Sequence, residues 1–458
     1  MKYNRLFFVF RVLAIAAAFG IFSHGVGAAQ IAAGPMAGAA GMRAATLWVQ
    51  ADGAANAQIE YWFDKEPARI MRTAVQKLYE AEDYAVHFSI GGLEPGRTYG
   101  YRVKLNGKVA LPNEKFFFRT QALWQWRTDP PDWKLAFGSC MYLNEPAYDR
   151  PGKPYGGPPE TRQIFASIAR EKPDMMLWGG DSLYFREVDY DSEWGLRYRW
   201  RRDRGIPELQ SILRTAHHYA IWDDHEFGPN DSNSSYVFKD IALKLFKRYW
   251  ANPSYGLPEA PGIFTTFSFN DADFFLLDNR YYRDSEKLKG EDKTKLGAVQ
   301  LRWLKNALLA SKASIKIILA GSQMTNAVNQ YEGWDKFSKE RDDIFKFLLD
   351  QQIDGVLLFS GDRHFTEMLK TERPGSYPLY ELTCSPLTSG VPSNLDQEKI
   401  NPQIVPGTFT AQRNFCTLDF QGAKDERKIV VRNFSTEGKK LWEQTIAVRE
   451  LKTPLPSR

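Results

Sequence analysis

Six short apolar runs in this 458-residue chain each give way at once to polar residues. Leu135 to Phe137 leads to Gly138-Ser139-Cys140, and Met175 to Trp178 leads to Gly179-Gly180-Asp181-Ser182-Leu183-Tyr184. Tyr219 to Trp222 leads to Asp223-Asp224-His225-Glu226, with Asn230 and Asp231 close behind. Phe274 to Leu277 is followed by Asp278-Asn279-Arg280, Ile315 to Ala320 by Gly321-Ser322-Gln323, and Val356 to Phe359 by Ser360-Gly361-Asp362-Arg363-His364. In open α/β sheets, ligands bind beyond the carboxyl ends of the strands, so these segments are able to deliver Cys, Asp, Tyr, Asn, His and Arg to one crevice. A thiolate and a phenolate suit a trivalent or borderline metal such as iron, whereas carboxylate and amide oxygens suit harder cations such as Ca²⁺ or Mn²⁺. Asp181, at the tip of a central strand, is placed to bridge two ions. Paired cations with an arginine form a site that suits a phosphate ester: the metals activate water and hold phosphoryl oxygens, and the guanidinium neutralises developing charge.

Each residue has a plainer reading. A free cysteine is usually a buried thiol, but Cys140 follows a strand beside Gly-Ser, which favours ligation. Cys384 and Cys416 lack a recognisable ligand partner and read as ordinary core cysteines. Asp181 has the residue type of a helix cap, yet the two glycines before it indicate close approach to the backbone. Asp362 and His364, at i and i+2 after a buried strand, have the form of a metal turn. His225 reads as a group facing the phosphate or supporting a ligand, with direct ligation as the alternative, and His217 and His218 as structural. Arg280 is a candidate phosphate clamp because guanidinium matches phosphate bidentately; pairing with Asp278 or Glu226 is the alternative. The candidate catalytic set is therefore His225, Arg280 and Asp224. The arginine run from 197 to 204 reads as a solvated helix face or an anion-attracting rim.

The elements that must position these groups are legible in the hydropathy. From Trp133 onward, apolar strands alternate with helical stretches at Glu160 to Arg170, Tyr236 to Tyr249, Gly297 to Ser311 and Glu340 to Asp350. Strands apolar throughout, separated by amphipathic helices, predict a sheet covered on both faces. Short strands return at Lys428 to Phe434 and Trp442 to Val448. Residues 30–120 read as all-β, with strands at Ala45 to Gln50, Ala57 to Phe63, Tyr84 to Ile90, Tyr99 to Leu105 and Lys115 to Thr120. The turn Leu93-Glu94-Pro95-Gly96, followed by Tyr99, resembles that of a fibronectin type III or immunoglobulin-like sandwich. The expected organisation is an α/β unit over 133–454, with C-terminal strands, preceded by this sandwich. The segment Tyr142 to Pro159, rich in Pro, Gly and Tyr, is the clearest long loop.

Hydrophobic residues make up 43% and charged residues 25%, which excludes a disordered or coiled-coil chain. Met1 to Arg11 is basic, Val12 to Phe22 is apolar, and small residues follow, so residues 1–28 read as a cleavable export signal with cleavage after Ala28. That places the mature protein in the periplasm or outside the cell. Removing Lys2, Arg5 and Arg11 with the signal lowers the net charge from +5 to +2, which leaves no basis for a nucleic-acid partner. No later stretch is long enough to span a membrane. Three cysteines argue against a disulfide framework.

Taken together, Gly138-Ser139-Cys140, Gly180-Asp181-xx-Tyr184, Trp222-Asp223-Asp224-His225-Glu226, Leu277-Asp278-Asn279-Arg280 and Gly361-Asp362-Arg363-His364 resemble the alkaline phosphatase D (PhoD-like) metallophosphatases, over nearly the whole mature chain. The resemblance implies a metallophosphatase-like fold and a centre of Fe³⁺ and Ca²⁺, with Mn²⁺, Zn²⁺ or Mg²⁺ as other divalent occupants. Cys140, Asp181 and Tyr184 would bind iron, and Asp181, Asn230, Asp362 and His364 would complete the cluster. Arg363 stands where the family often has a small apolar residue. The implied activity is hydrolysis of phosphomonoesters, phosphodiesters or both by a monomer that takes a small phosphate ester. Phospholipase D-like cleavage and a non-catalytic envelope binding protein are the alternatives.

Overall fold

The computed structural model describes residues 28–152, 154–289, 292–328 and 331–454. The expected export signal falls almost wholly on residues 1–27, outside the described residues. No helix among the described residues is long and apolar enough to cross a membrane.

All six apolar runs are strands. Trp133–Gly138, Met175–Gly179 and His217–Ile221 run parallel at the centre of a nine-stranded sheet. Asn414–Gln421, Lys428–Ser435 and Lys440–Ala447 extend it on one side, antiparallel. Ala272–Leu276, Ile315–Leu319 and Val356–Ser360 run parallel in a six-stranded sheet that also holds Thr265–Phe269, Leu379–Thr383 and Glu367–Thr371. The helices Ala298–Ala310 and Ser338–Asp350 are the crossovers between consecutive parallel strands of this second sheet.

The two sheets pack face to face, which explains why these strands carry no polar alternation. Phe137 meets Phe359 at 5.0 Å between ring centroids, Trp133 meets Phe274 at 6.2 Å, and Tyr219 stacks on Phe267 at 4.0 Å. On the larger sheet, Gln163–Arg170 buries Ile164, Phe165 and Ile168, so its strands are covered on the other face as well. Truncating one such buried ring to alanine costs about 3–5 kcal/mol.

Two features depart from the sequence reading. The strand Ile31–Ala40 (IAAGPMAGAA) was not expected, because small residues give no alternation; it pairs parallel with His217–Ile221 and carries the large sheet on to Ala44–Ala51 and Ala85–Gly91. These strands also close a sandwich with the sheet of Ala55–Phe63, Thr98–Leu105 and Phe116–Arg119, over a core of Leu47, Val49, Ile59, Phe88, Tyr101 and Phe118. Cys384 and Cys416, read as separate thiols, are bonded to each other with Cα atoms 6.2 Å apart. Cys416 lies in the strand beside Phe137 and Cys384 follows a strand of the second sheet, so the bridge joins the two sheets. Their 32-residue separation gives no local sign of this.

The arginine run forms the helix Glu193–Arg204, and although Arg201 is exposed, most of the run does not face solvent. Arg197, Arg199 and Arg204 are buried. Arg197 pairs with Asp83 at 2.7 Å, Arg199 with Asp189 and Glu145 at 2.8 Å each, and Arg204 lies 3.7 Å from the Trp250 ring centroid. Buried partners on three other segments, not solvent, explain the density of charge.

In the N-terminal sandwich the buried Glu60 carboxylate faces Arg72, Arg102 and Lys104. Burial alone would raise its pKa, but the arginines and the lysine outweigh it and hold the group at about 2, below the ordinary 4.5. A depressed carboxyl pKa stabilises the fold above the unfolded value and loses that contribution as pH falls through the folded one. Glu60→Gln is therefore expected to lower unfolding free energy by about 1–3 kcal/mol at neutral pH. The gap from wild type should close between about pH 4.5 and pH 2 in urea titrations; a gap that does not change with pH would contradict this.

Candidate metal centre

The turns after the parallel strands are stitched to one another. Cys140 N–H donates to the Gly180 carbonyl at 3.3 Å, Met141 N–H to the Asp181 carbonyl at 2.7 Å, and Gly361 N–H to the Gly321 carbonyl at 2.9 Å. Cys140, Asp181, Asp362 and His364 all have left-handed backbone, with φ of 62°, 55°, 64° and 55°. Such conformations are disfavoured for residues with a Cβ and persist only where the surroundings over-determine them, commonly at functional sites.

Glu226 supplies much of that constraint. Its carboxylate accepts from Asp181 N–H at 2.8 Å, from Asp223 N–H at 3.0 Å and from Ser182 N–H. The Asp223 bond closes a capping box on the short helix Asp224–Phe227. One carboxylate thus locks the Asp181 turn to the Asp223-Asp224-His225 turn. Glu226 went unassigned in the sequence, although an acid three residues after Asp223 is the signal of such a box.

Three sets of donor atoms converge, each with its members within 4.8 Å of one another: Cys140, Asp181 and His364; Asp181, Asp224 and His225; and Asp224, Asp231 and Glu332. Asp181 belongs to two of them. The Tyr184 hydroxyl is 3.1 Å from both Asp181 Oδ2 and His364 Nε2, and Cys140 Sγ is 3.7 Å from Asp181 Oδ2. Asp362 is half-buried and close enough for its charge to act on Asp181 and Cys140. Asn230 is exposed and lines the adjacent cavity; its neighbour Asp231, whose N–H donates to Asp224 at 2.8 Å, joins a donor set.

The donor chemistry fits cations. Burial, then repulsion from Asp224, Asp223, Glu226 and Asp362, pushes Asp181 well above the carboxylate range. Burial and the neighbouring Asp223 do the same to Asp362. Burial and Asp181 raise the Cys140 thiol and the Tyr184 phenol. Burial also lifts Glu226 to about 7, and it depresses His364 to about 3 with help from His225. Among the described residues no lysine or arginine pairs with Asp181 or Asp362, and Asp223 Oδ2 and Asp224 Oδ1 have no hydrogen-bond partner. A bound cation offsets the penalties on the carboxylates, the thiol and the phenol, and the neutral imidazole of His364 is already the form that ligates a metal.

Arg280 does not present itself as a phosphate clamp. It is fully buried, donates from Nε to Asp223 Oδ1 at 2.5 Å, and binds Glu332 through both Nη atoms, with Nη1 at 2.8 Å from Oε1. Its donors are spent on acids. Glu332, which the sequence did not mark, also meets Arg283 at 2.5 Å. Asp278 is structural: it accepts from Trp222 Nε1 at 2.8 Å and from the N–H groups of Ile263, Arg280 and Tyr281. Trp222, Asp223 and Asp224 are buried, so the acidic segment is not a surface loop. Arg363 is likewise buried and pairs with Glu398 at 3.0 Å. His217 and His218 serve packing: His217 Nε2 accepts from Arg119 N–H at 3.1 Å and His218 Nδ1 from Trp178 Nε1 at 3.0 Å.

A cavity of about 930 Å³ opens beside the donors, lined by His225, Tyr184 and the loop Tyr142 to Pro159. Tyr155 reaches from that loop to within 3.0 Å of His364 Nδ1. The sequence marked the loop but not this residue.

The family model of PhoD-like phosphatases matches residues 154–426, and that of a domain of unknown function, DUF7800, matches residues 28–123. Alkaline phosphatase D of Bacillus subtilis (strain 168) is 23% identical over 350 residues, which is 66% of this chain and 57% of that protein's length. The solved structure of PhoD aligns with a TM-score of 0.73 at 19% identity, over 92% of this chain and 91% of that one. Purple acid phosphatase PPD1 from yellow lupin (Lupinus luteus) seeds aligns with a TM-score of 0.64 at 12% identity, over 91% and 75%. These likenesses show the fold, mixed sheets with helices, and the family match covers the segments that carry Asp181, Tyr184, Asp224, Asp362 and His364. The chain belongs to the PhoD-like phosphatase family.

Proposed function

We propose that this protein is an exported, metal-dependent phosphatase that hydrolyses phosphomonoesters, phosphodiesters or both by attack of water. The observation that carries the reading is the convergence of Cys140, Asp181 and His364, with Tyr184 bonded to two of them, in a buried carboxylate cluster whose Asp181 and Asp362 pair with no arginine or lysine among the described residues. Bound cations would supply an activated water and neutralise phosphoryl oxygens. Cys140, Tyr184, His364 and Asp181 would hold the softer ion, for which iron suits a thiolate and phenolate set. Asp181 with Asp224, Asp362 and the amide of Asn230 would hold a harder one such as Ca²⁺. Asp224 thereby moves from the catalytic to the ligand set. His225 would give a proton to the leaving oxygen; this role is supported by its lining the cavity next to Tyr184, ring centroids 4.0 Å apart. Arg280 acts at one remove, keeping Asp223 and Glu332 in place.

Export is supported by the basic and apolar start of the sequence and by the Cys384–Cys416 disulfide, since such bonds persist in oxidising compartments. As part of the same proposal, residues 30–120 form a fibronectin III/Ig-like unit ahead of a catalytic unit at 133–454. Its support is the hydrogen bond from Glu94 N–H to the Tyr99 hydroxyl, 2.9 Å, at the sandwich corner. The protein is taken to act as a monomer on a small ester.

Asp181→Asn and His364→Ala are each expected to lower turnover of bis(4-nitrophenyl) phosphate and 4-nitrophenyl phosphate by several orders of magnitude. Turnover equal to wild type in either variant would contradict the mechanism. Arg280→Met leaves the buried Asp223 without its guanidinium partner and Glu332 with one arginine fewer, and is expected to cost about 3–5 kcal/mol of stability. A variant that unfolds like wild type and only raises KM would instead restore the clamp role to Arg280.

A further inference from the structure

The cavity beside the metal donors is larger than a phosphoryl group needs; about 930 Å³ lies in the range of sites for whole organic ligands. Aromatic rings supply half of its lining residues, among them Tyr148, Tyr155, Phe185 and Tyr190. Tyr148 and Tyr155 are each 44% exposed, so a ligand in the cavity can reach their rings. The loop that carries them is braced. The Tyr142 hydroxyl donates to Asp149 at 2.8 Å, Asp149 also accepts from Glu145 N–H at 2.5 Å, and Asn144 Nδ2 donates to the Gly156 and Gly157 carbonyls at 3.0 Å. Tyr148 stands edge-on to Tyr198, and Tyr155 edge-on to Tyr142, so the rings are set rather than free.

The cavity's buried arginine is already used: Arg186 is taken by Asp149 at 3.0 Å and by the Leu143 carbonyl at 2.8 Å, whereas Arg150 is solvent-exposed and pairs with Glu187 at 2.9 Å on the surface. A substrate arm rich in hydroxyls or charge finds few free partners there, whereas a flat ring finds faces to stack on.

Resting on the phosphatase reading, we propose that this site selects phosphate esters whose organic part carries a planar ring, with the phosphoryl group at the metal donors and the ring among Tyr148, Tyr155 and Tyr190. Benzylphosphonate and cyclohexylmethylphosphonate, which are close in size and cannot be hydrolysed at carbon, separate stacking from mere apolar bulk. Calorimetric titration of the metal-loaded full chain should show benzylphosphonate binding about five- to tenfold more tightly, as expected for aromatic pairing. In Tyr148→Leu, which keeps apolar area and removes the ring, that ratio should fall towards one. Equal affinity of the two compounds for the wild type would overturn the ring preference, as would an unchanged ratio in Tyr148→Leu with Tyr155→Leu. Turnover of bis(4-nitrophenyl) phosphate in the same preparation separates the two ideas: ring-selective binding without turnover supports the pocket and contradicts the phosphatase reading.

Discussion

An excess of buried negative charge governs this molecule. Asp181, Asp223, Asp224, Glu226, Asp362 and Glu332 act on one another in the protein interior, and the arginines nearby do not balance them. Arg280 and Arg283 are taken by Asp223 and Glu332, and Arg363 by Glu398. Asp181 and Asp362 are left with desolvation and repulsion as their main influences. Carboxylates in that position either hold protons or hold metal, and the thiol, phenol and imidazole beside them make metal the coherent answer.

The fold is arranged to sustain that crowding. Parallel strands from two stacked sheets end on the same side, and the chain leaves Cys140, Asp181, Asp362 and His364 in left-handed turns. Gly180 and Gly321 let backbone approach Asp223 from two sides; a Cβ would lie 2.9 Å from the Asp223 Cβ in the first case and 2.5 Å from its carboxyl carbon in the second. Glu226 binds the Asp181 turn to the next one with three backbone hydrogen bonds. The strain of the turns is met by this network and by the aromatic contacts between the sheets, not by the donor residues themselves.

The sequence made the strands of the α/β body legible because burial on both faces removes polar alternation, and runs as short as Met175–Gly179 and Val356–Ser360 between helical stretches suit strands. It was silent where the cause is long-range. Ile31–Ala40, built of small residues, joins the large sheet only through His217–Ile221. The Arg197–Arg204 charges look solvated until Asp83, Asp189 and Glu145 are brought against them. The disulfide depends on two sheets meeting. At the site, Cys140, Asp181, Tyr184 and His364 stand out because each ends or closely follows a strand. Arg280 stayed open between phosphate and an acid partner because residue type alone does not tell a guanidinium free for phosphate from one held by Asp223 and Glu332. Tyr155 carries no mark beyond its place in a loop whose path only tertiary structure defines.

The central claim is that a thiolate, a phenolate, an imidazole and a shared carboxylate hold a transition metal at the strand ends. Elemental analysis of the purified protein, with its visible absorption spectrum, tests it most directly. Wild type should contain bound metal, iron first, with a phenolate-to-metal charge-transfer band. The Cys140→Ser, Tyr184→Phe double variant should lose that band and most of the metal while keeping its fold by circular dichroism. Full metal content in the double variant would contradict the account.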